Sequence, residues 1–244
     1  MSFIQIANLI IINIIIWLIF NYFWSNWSFK LFKPYRWLDS VKSKSIHKKI
    51  ISAERHCKDK NRFYEHWLLT EQIDENMVEG AMVFVGVEET QYAALASLAR
   101  NEREIVLIDN FENEKIEVVK ENCQGEVSRQ TIDINKPNYS DVQRLADDNK
   151  QLSIIKSDIQ KGIGELPATI AFASVDSVKY DEVFAALQTI YSRLSPGGAI
   201  VVHDFNHDWD DVKRAVKRFE ASINETFIPI PDMFGSCVMC KSRV

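Results

Sequence analysis

The chain has 244 residues, enough for one domain of ordinary size and an appendage. Its formal net charge is −5, but residues 1–29 contain no Asp, Glu, Lys or Arg, and residues 30–62 contain 11 basic and 3 acidic side chains, a local charge of +8. Residues 63–244 therefore carry −13. A domain this acidic would repel phosphates, which argues against a nucleic-acid partner.

The N-terminal stretch 3–24 consists mostly of Ile, Leu, Phe and Trp. As a helix it is long enough to cross a hydrocarbon core of about 30 Å. Tyr22, Trp24 and Trp27 cluster at its far end, where aromatic rings favour the membrane interface. A signal peptide would begin with basic residues and end in small ones, and neither is present. We therefore favour an uncleaved membrane anchor over a signal peptide or a buried core helix.

The basic segment 30–62 follows this anchor directly. Cationic residues after a span mark its cytoplasmic side, so the pattern predicts a single-pass membrane protein whose C-terminal domain is cytoplasmic. The segment could lie on anionic lipid headgroups or form a solvated helix, and the sequence leaves both open. Pro34 argues against one continuous helix from the membrane, and a further helix is predicted over 63–73.

From residue 80 onward, apolar runs alternate with helical patterns, which indicates a doubly wound α/β sheet. The predicted strands are 82–87, 104–109, 152–158, 168–176 and 197–205, and the predicted helices are 90–100, 139–149, 181–194 and 209–222. Two last strands, 225–231 and 235–242, are joined by a turn too short for a crossover helix, so they should be antiparallel.

Residues 113–137 interrupt the alternation of strands and helices. The segment contains a predicted helical piece at 114–122 and a β-like stretch at 126–134. It could be a lid that excludes water from a site or a surface insertion.

The four cysteines are few and scattered, as in a protein from a reducing compartment. Cys237 and Cys240 spell C-x-x-C, but in a strand residues three apart point to opposite faces. No second pair completes a zinc site. We interpret this motif as part of a core strand.

Several motifs occur in one order along residues 76–244. They are EGAMVFVGV (79–87), IDNFE (108–112), IIKSDIQKGIGELP (154–167), LSPGG (194–198) and a helix bearing Val212, Ala215, Val216 and Phe219. Together they resemble the class I S-adenosylmethionine-dependent methyltransferases of the macrocin O-methyltransferase group, which modify sugars on natural products.

The resemblance implies a Rossmann-like class I methyltransferase fold, with a mostly parallel seven-stranded sheet and a C-terminal antiparallel hairpin. With the transmembrane helix, it divides the chain into an anchor (1–29), a basic juxtamembrane and helical linker (30–75) and a methyltransferase-like domain (76–244). It also implies that S-adenosylmethionine is bound by Gly86, Asp109, Phe111 and Asp158, with Asp109 on the ribose and Asp158 near the adenine.

The family binds Mg²⁺ through three acids, and the matching residues here are Asp176, His203 and Asp204. Mg²⁺ prefers carboxylate and water oxygens, whereas an imidazole ligand better suits a softer ion such as Mn²⁺. The resemblance makes His203 and Asp204 the candidate catalytic residues. His203 could be a general base for a sugar hydroxyl or a residue that only holds a hydrogen bond, and both remain open. The family's second acid is replaced by Val178.

The first turn departs most from the family pattern. Gly86 is retained, but the family's acid is Phe84 here, and Glu88 and Glu89 lie where carboxylates would repel that of the cofactor. The leading hypothesis is a membrane-anchored O-methyltransferase acting on a small molecule, a sugar or a lipid-linked saccharide. The alternative is a catalytically inactive scaffold or regulatory protein at the membrane. The oligomeric state, a homo-oligomer included, stays open.

Overall fold

The computed structural model describes residues 2–25, 33–87, 103–121, 127–206 and 210–243. The chain forms two compact units, residues 1–46 and residues 47–244, which are described separately. The turn predicted at 88–91, the helix predicted over 90–100, and Trp27 all lie outside the described residues.

The first unit contains helix α1 (Phe3–Ser25) and helix α2 (Tyr35–Lys42). Within the described part of the chain, Phe3–Asn21 is the one stretch that is long and apolar enough to cross a membrane, and it is not buried against protein. A signal sequence near an N-terminus meets the same test of length and composition.

The second unit is built on a seven-stranded sheet of order β5-β2-β1-β6-β7-β9-β8. Its strands are β1 (Ala81–Val85), β2 (Ile105–Asp109), β5 (Leu152–Lys156), β6 (Ile170–Val175), β7 (Leu194–Val202), β8 (Ile228–Pro229) and β9 (Cys237–Cys240). The first five pair in parallel, and β9 runs antiparallel to both β7 and β8. This arrangement confirms the predicted methyltransferase-like sheet with its antiparallel C-terminal strands.

Helices cover both faces of this sheet, so its central strands are mostly apolar. Strands β1, β2 and β6 are buried at every position. The helices of this unit are α3 (Lys48–His56), α4 (Lys60–Glu75), α5 (Tyr139–Asp148), α6 (Ile159–Gly162), α7 (Tyr180–Arg193) and α8 (Asp210–Glu220). Helices α7 and α8 share one core cluster with the sheet, and Ile73 of α4 packs into the cluster on the other face.

Helix α4 confirms the helix predicted at 63–73 and extends it at both ends. Asp59 caps it by accepting hydrogen bonds from the backbone N–H groups of Asn61 and Arg62. His66 and Trp67 are almost fully buried. The helix therefore packs in the same unit as the sheet, while the domain boundary drawn at residue 76 stays a prediction.

The prediction of a helical piece at 114–122 is wrong. Strand β3 (Glu114–Glu121) pairs antiparallel with β4 (Val127–Ile134) as a separate two-stranded hairpin. Its apolar residues alternate with charged ones around Ile116, a period of two that favours a strand over a helix. In β9, Cys237 is buried and Cys240 is exposed, and both are free thiols, which confirms the strand interpretation of the C-x-x-C motif.

Candidate functional site

An open pocket lies at the carboxyl ends of β2 and β6. Ligands of open α/β sheets bind at this edge. The pocket is lined by residues from the two strand ends, from the β3–β4 hairpin and from the start of α7, including Asp109, Asn110, Glu114, Ile116, Ile134, Lys136, Asp176, Ser177, Lys179 and Glu182. The described strands of the β3–β4 hairpin thus form one wall of this pocket.

Asp109 is fixed at the end of β2 with only 2% of its surface exposed. Its Oδ2 accepts a hydrogen bond from the Val87 backbone N–H at 2.7 Å, and its Oδ1 accepts one from the Phe111 N–H at 2.8 Å. The Lys136 Nζ lies 2.9 Å from Asp109 Oδ2. Phe111 adopts a left-handed backbone with φ of 59°, which folds its N–H back onto the carboxylate. The carboxylate is therefore held rigidly while it faces the pocket.

Gly86 is a glycine because the backbone requires one. Its φ is +79°, and a Cβ at this position would lie 1.8 Å from the Asp176 carbonyl oxygen. Only glycine allows the end of β1 to approach the end of β6 this closely. The retained glycine of the first turn thus sets how closely β1 approaches Asp176, although Gly86 itself is not among the pocket-lining residues.

Asp158 lies at the edge of this group, near the pocket-lining Asn110 and Lys179. Its side chain is half exposed and pairs with Lys161, and it is not among the pocket-lining residues. The hydrogen bond and the positive charge from Lys161 hold the pKa of the Asp158 carboxyl below its usual range.

A lysine connects the hairpin to helix α7. The Lys179 Nζ is 2.6 Å from Glu114 Oε2 and 3.2 Å from Glu182 Oε1. The first residue of β3 is thereby joined to the first turn of α7 across the pocket, so this wall is held by ion pairs as well as by strand pairing.

The two carboxylates predicted to bind a metal, Asp176 and Asp204, surround a guanidinium instead. Arg62 Nη2 lies 2.9 Å from Asp204 Oδ1, and its Nη1 lies 3.8 Å from Asp176 Oδ2. A third carboxylate, Asp232, is 3.7 Å away, measured from its Oδ2 to Arg62 Nε. The arginine side chain is only 2% exposed, so the cluster is a buried ionic core.

His203 points away from the pocket and is completely buried. Its Nδ1 lies 2.8 Å from the Ser236 Oγ and its Nε2 lies 2.9 Å from the Ser174 Oγ. The ring stacks on His66, with 5.1 Å between centroids, and the His66 Nε2 shares the Ser174 hydroxyl at 3.1 Å. Burial, followed by the nearby Arg62 charge, lowers the pKa of His203 well below its ordinary value. Of the two roles considered for His203, this geometry favours the hydrogen-bonding one.

These residues do not fit a metal ion. No three His, Cys, Asp or Glu side chains in the described ranges are arranged to hold one. The predicted centre of Asp176, His203 and Asp204 is therefore not supported. Both imidazole nitrogens face serine hydroxyls, and Arg62 already lies between the carboxylates.

Sequence reasoning missed Arg62, His66 and Lys136. Arg62 was counted among the basic residues that follow the predicted anchor, and composition alone does not distinguish a buried arginine from an exposed one. Its spacing from His66 was the available signal, because residues four apart share one face of a helix. Lys136 carried no comparable signal, since its approach to Asp109 depends on the hairpin.

A model of the macrocin O-methyltransferase (TylF) family matches residues 59–239. The chain belongs to the macrocin O-methyltransferase family. It is thus an S-adenosylmethionine-dependent methyltransferase, as the motifs of the C-terminal half predicted. The matched range begins at Asp59, so it includes helix α4 and the buried arginine.

Solved structures of similar fold include two O-methyltransferases. The O-methyltransferase NovP aligns with a TM-score of 0.57 at 18% identity, covering 75% of this chain and 81% of its own. The calicheamicin methyltransferase CalS11 aligns with a TM-score of 0.56 at 15% identity, covering 73% of this chain and 78% of its own. At these identities the likeness shows a shared fold. No curated protein matches the sequence.

Proposed function

We propose that this enzyme transfers the methyl group of S-adenosylmethionine to a hydroxyl of a sugar or a lipid-linked saccharide. The observation that carries the proposal is Asp109, a buried carboxylate fixed at the pocket end of β2 in a chain of this family. A sugar substrate is supported by one relative of similar fold, CalS11, which is described as a TDP-rhamnose 3'-O-methyltransferase.

In this proposal the cofactor lies along the ends of β1 and β2. The Asp109 carboxylate accepts hydrogen bonds from the ribose hydroxyls, and Gly86 lets the backbone approach the cofactor without a side chain. Phe111 flanks the ribose, and Asp158 faces the adenine from a more exposed position. The Lys136 ammonium donates to Asp109 Oδ2, an oxygen that a ribose hydroxyl would also approach. When the cofactor binds, Lys136 therefore either donates to Asp109 together with the ribose or moves away from the carboxylate.

The acceptor hydroxyl would lie beside Asp176, the member of the buried ionic cluster that lines the pocket. A carboxylate there can accept the hydroxyl's hydrogen bond, align its oxygen with the methyl group and take up the proton as the methyl transfers. Asp204 and His203, the predicted catalytic pair, do not line the pocket and act through the residues next to Asp176. Asp204 holds Arg62 against Asp176, and His203 fixes the serines around it.

We further propose that α1 anchors the enzyme in a membrane with its second unit on the cytoplasmic side. The support is the length and apolarity of Phe3–Asn21 together with the basic residues that follow it. An anchor would raise the effective concentration of the enzyme near a lipid-linked acceptor.

One observation favours the second candidate function, a non-catalytic scaffold of methyltransferase fold. The Lys136 ammonium already neutralises Asp109, so the carboxylate has a partner without any cofactor. The two candidates differ in whether S-adenosylmethionine binds.

Calorimetric titration of the full-length protein in detergent tests this difference. The wild type is expected to bind S-adenosylmethionine, and Asp109→Asn to bind it at least tenfold more weakly, a loss of about 1.4 kcal/mol, because the ionised acceptor is lost. Asp133→Asn, an exposed acid on the hairpin paired with Lys115, is the matched control and should bind like the wild type. No binding at millimolar cofactor by a folded wild-type sample would favour the scaffold.

A further inference from the structure

The buried cluster around Arg62 brings one cation to three carboxylates. The side chains of Asp176, Asp204 and Asp232 are 3%, 9% and 0% exposed, and all three lie within 4 Å of the guanidinium. Carboxylates at this depth need a compensating charge, because desolvation of an unpaired one costs several kcal/mol. Arginine supplies it at every accessible pH, since its own pKa lies above about 12.

We propose that Arg62 is a built-in cation that takes the place of a divalent metal, so that cofactor binding and methyl transfer by this enzyme need no metal ion. The methyl-transfer part rests on the function proposed above. Arg62 is a positioning residue in this view. It places a positive charge 3.8 Å from the Asp176 carboxylate at the pocket, while Asp176 faces the acceptor hydroxyl.

The guanidinium of Arg62 lies among the carboxylate oxygens that a metal ion would need. A divalent ion needs carboxylate oxygens at about 2.0–2.6 Å, and the nearest one, Asp204 Oδ1, is already 2.9 Å from the Arg62 Nη2. A divalent ion bound there would share the three carboxylates with the guanidinium. Binding a metal would require Arg62 to leave a position in which it is 98% buried, as its 2% exposure shows.

Arg62 is also held from its backbone. Its N–H donates to the Asp59 Oδ1 at 3.1 Å, and its carbonyl oxygen lies 2.8 Å from the His66 Nδ1. The other oxygen of Asp59 accepts a hydrogen bond from the Met233 N–H at 3.0 Å, which fastens the 232–235 turn to the start of α4. The Phe234 ring lies 5.8 Å from the guanidinium carbon. The arginine is therefore a fixed part of the fold, unlike a surface side chain that happens to reach an acid.

The decisive measurement is a titration of the full-length protein in detergent with Mn²⁺, followed by electron paramagnetic resonance and by thermal unfolding. The wild type should show no stoichiometric Mn²⁺ site below millimolar concentration and no rise in Tm. Arg62→Ala should lower the Tm and gain a Mn²⁺ site whose occupation restores part of the loss, because three carboxylates are left without a cation. Arg103→Ala is the matched control. It removes a part-buried arginine that is paired with a single acid, Asp74, and should gain no Mn²⁺ site.

Stoichiometric Mn²⁺ binding by the wild type that Asp204→Asn abolishes would overturn the proposal. If Arg62→Ala does not fold, the wild-type titration decides alone, and the absence of such binding upholds the proposal. A second arm measures S-adenosylmethionine affinity with and without EDTA, and a tenfold weakening by EDTA would also overturn it. The metal titration uses no cofactor, so its result is distinguishable from failure of the proposed function.

Discussion

Glu65 lies between Arg62 and His66 in sequence. Burial favours the uncharged form of its carboxyl group. Among the described residues, neither of its carboxyl oxygens has a hydrogen-bond partner. Burial, followed by the negative charge of Asp232, raises the pKa of Glu65 to about 8. At neutral pH this carboxyl is therefore protonated in the folded protein and ionised in the unfolded chain.

We expect Glu65 to make the fold less stable as pH rises. The folded state binds more protons than the unfolded state between about pH 4.5 and 8, so the free energy of unfolding falls across this window. Glu65→Gln removes the group, and its stability relative to the wild type should increase from pH 5 to 8 in urea titrations. Other titrating groups, such as His66, whose pKa burial lowers to about 4, largely cancel in this difference. Glu75→Gln, an exposed acid of α4, should show a flat difference, and a flat curve for Glu65→Gln would contradict the shift.

At the scale of elements, helix α4 precedes the alternating strands and helices yet completes one face of the sheet. His66 stacks on Phe84 with 6.3 Å between centroids and meets Phe172 edge-on at 5.6 Å. Trp67 and Ile73 are almost fully buried as well. Burial of a large apolar side chain stabilises a fold by about 1.5–3 kcal/mol, so losing several would exceed the stability of most domains.

A truncation series should locate the true start of the folding unit. Residues 47–244 are expected to unfold cooperatively on heating, with the near-ultraviolet circular dichroism of packed aromatic rings. Residues 76–244, which lack α3 and α4, should show no cooperative transition, because Phe84 and Phe172 lose their cover. A cooperative, monomeric 76–244 would place the boundary where the motifs alone suggest it.

Most of this architecture could be predicted from the sequence, because the strands are apolar runs that adjoin helical patterns. Each predicted strand from 82–87 onward is a strand of the observed sheet, and the short 232–235 turn accounts for its antiparallel end. Only the second strand of the β3–β4 hairpin was predicted, because a short run of charged and apolar residues is compatible with the period of a helix as well as with that of a strand. The ion cluster was missed because it joins Arg62 to Asp204 across 142 residues, and no local pattern reports a contact of that separation.

At the scale of the whole molecule, the chain combines an uncharged apolar helix, a basic stretch and an acidic enzyme unit. The family match begins at Asp59, well after α1, so we expect α1 to be dispensable for the chemistry and to serve the proposed membrane anchoring. One buried member of the basic stretch, Arg62, serves the enzyme unit and is unavailable to lipid headgroups.

Deletion of residues 1–29 should move the protein from the membrane to the soluble fraction while S-adenosylmethionine affinity stays within threefold of the full chain. Carbonate extraction of membranes followed by immunoblotting measures the membrane association, and calorimetry measures the S-adenosylmethionine affinity. Mass spectrometry of the full-length protein is the control, because an intact N-terminus excludes cleavage. Release of the intact full-length chain by carbonate would contradict the anchor.

The buried histidines have a further consequence that concerns protons. A chain of contacts runs from the Arg62 carbonyl oxygen through His66, Ser174, His203 and Ser236 to Asp232. Both ends of the chain are acceptors, so its five links need five hydrogens, whereas two neutral imidazoles and two hydroxyls supply four. Burial lowers the pKa of both imidazoles, so each carries a single hydrogen at neutral pH and one of the five contacts holds none. Helix α4 and the 232–235 turn are therefore joined by a run of polar side chains in which one contact sets two lone pairs against each other.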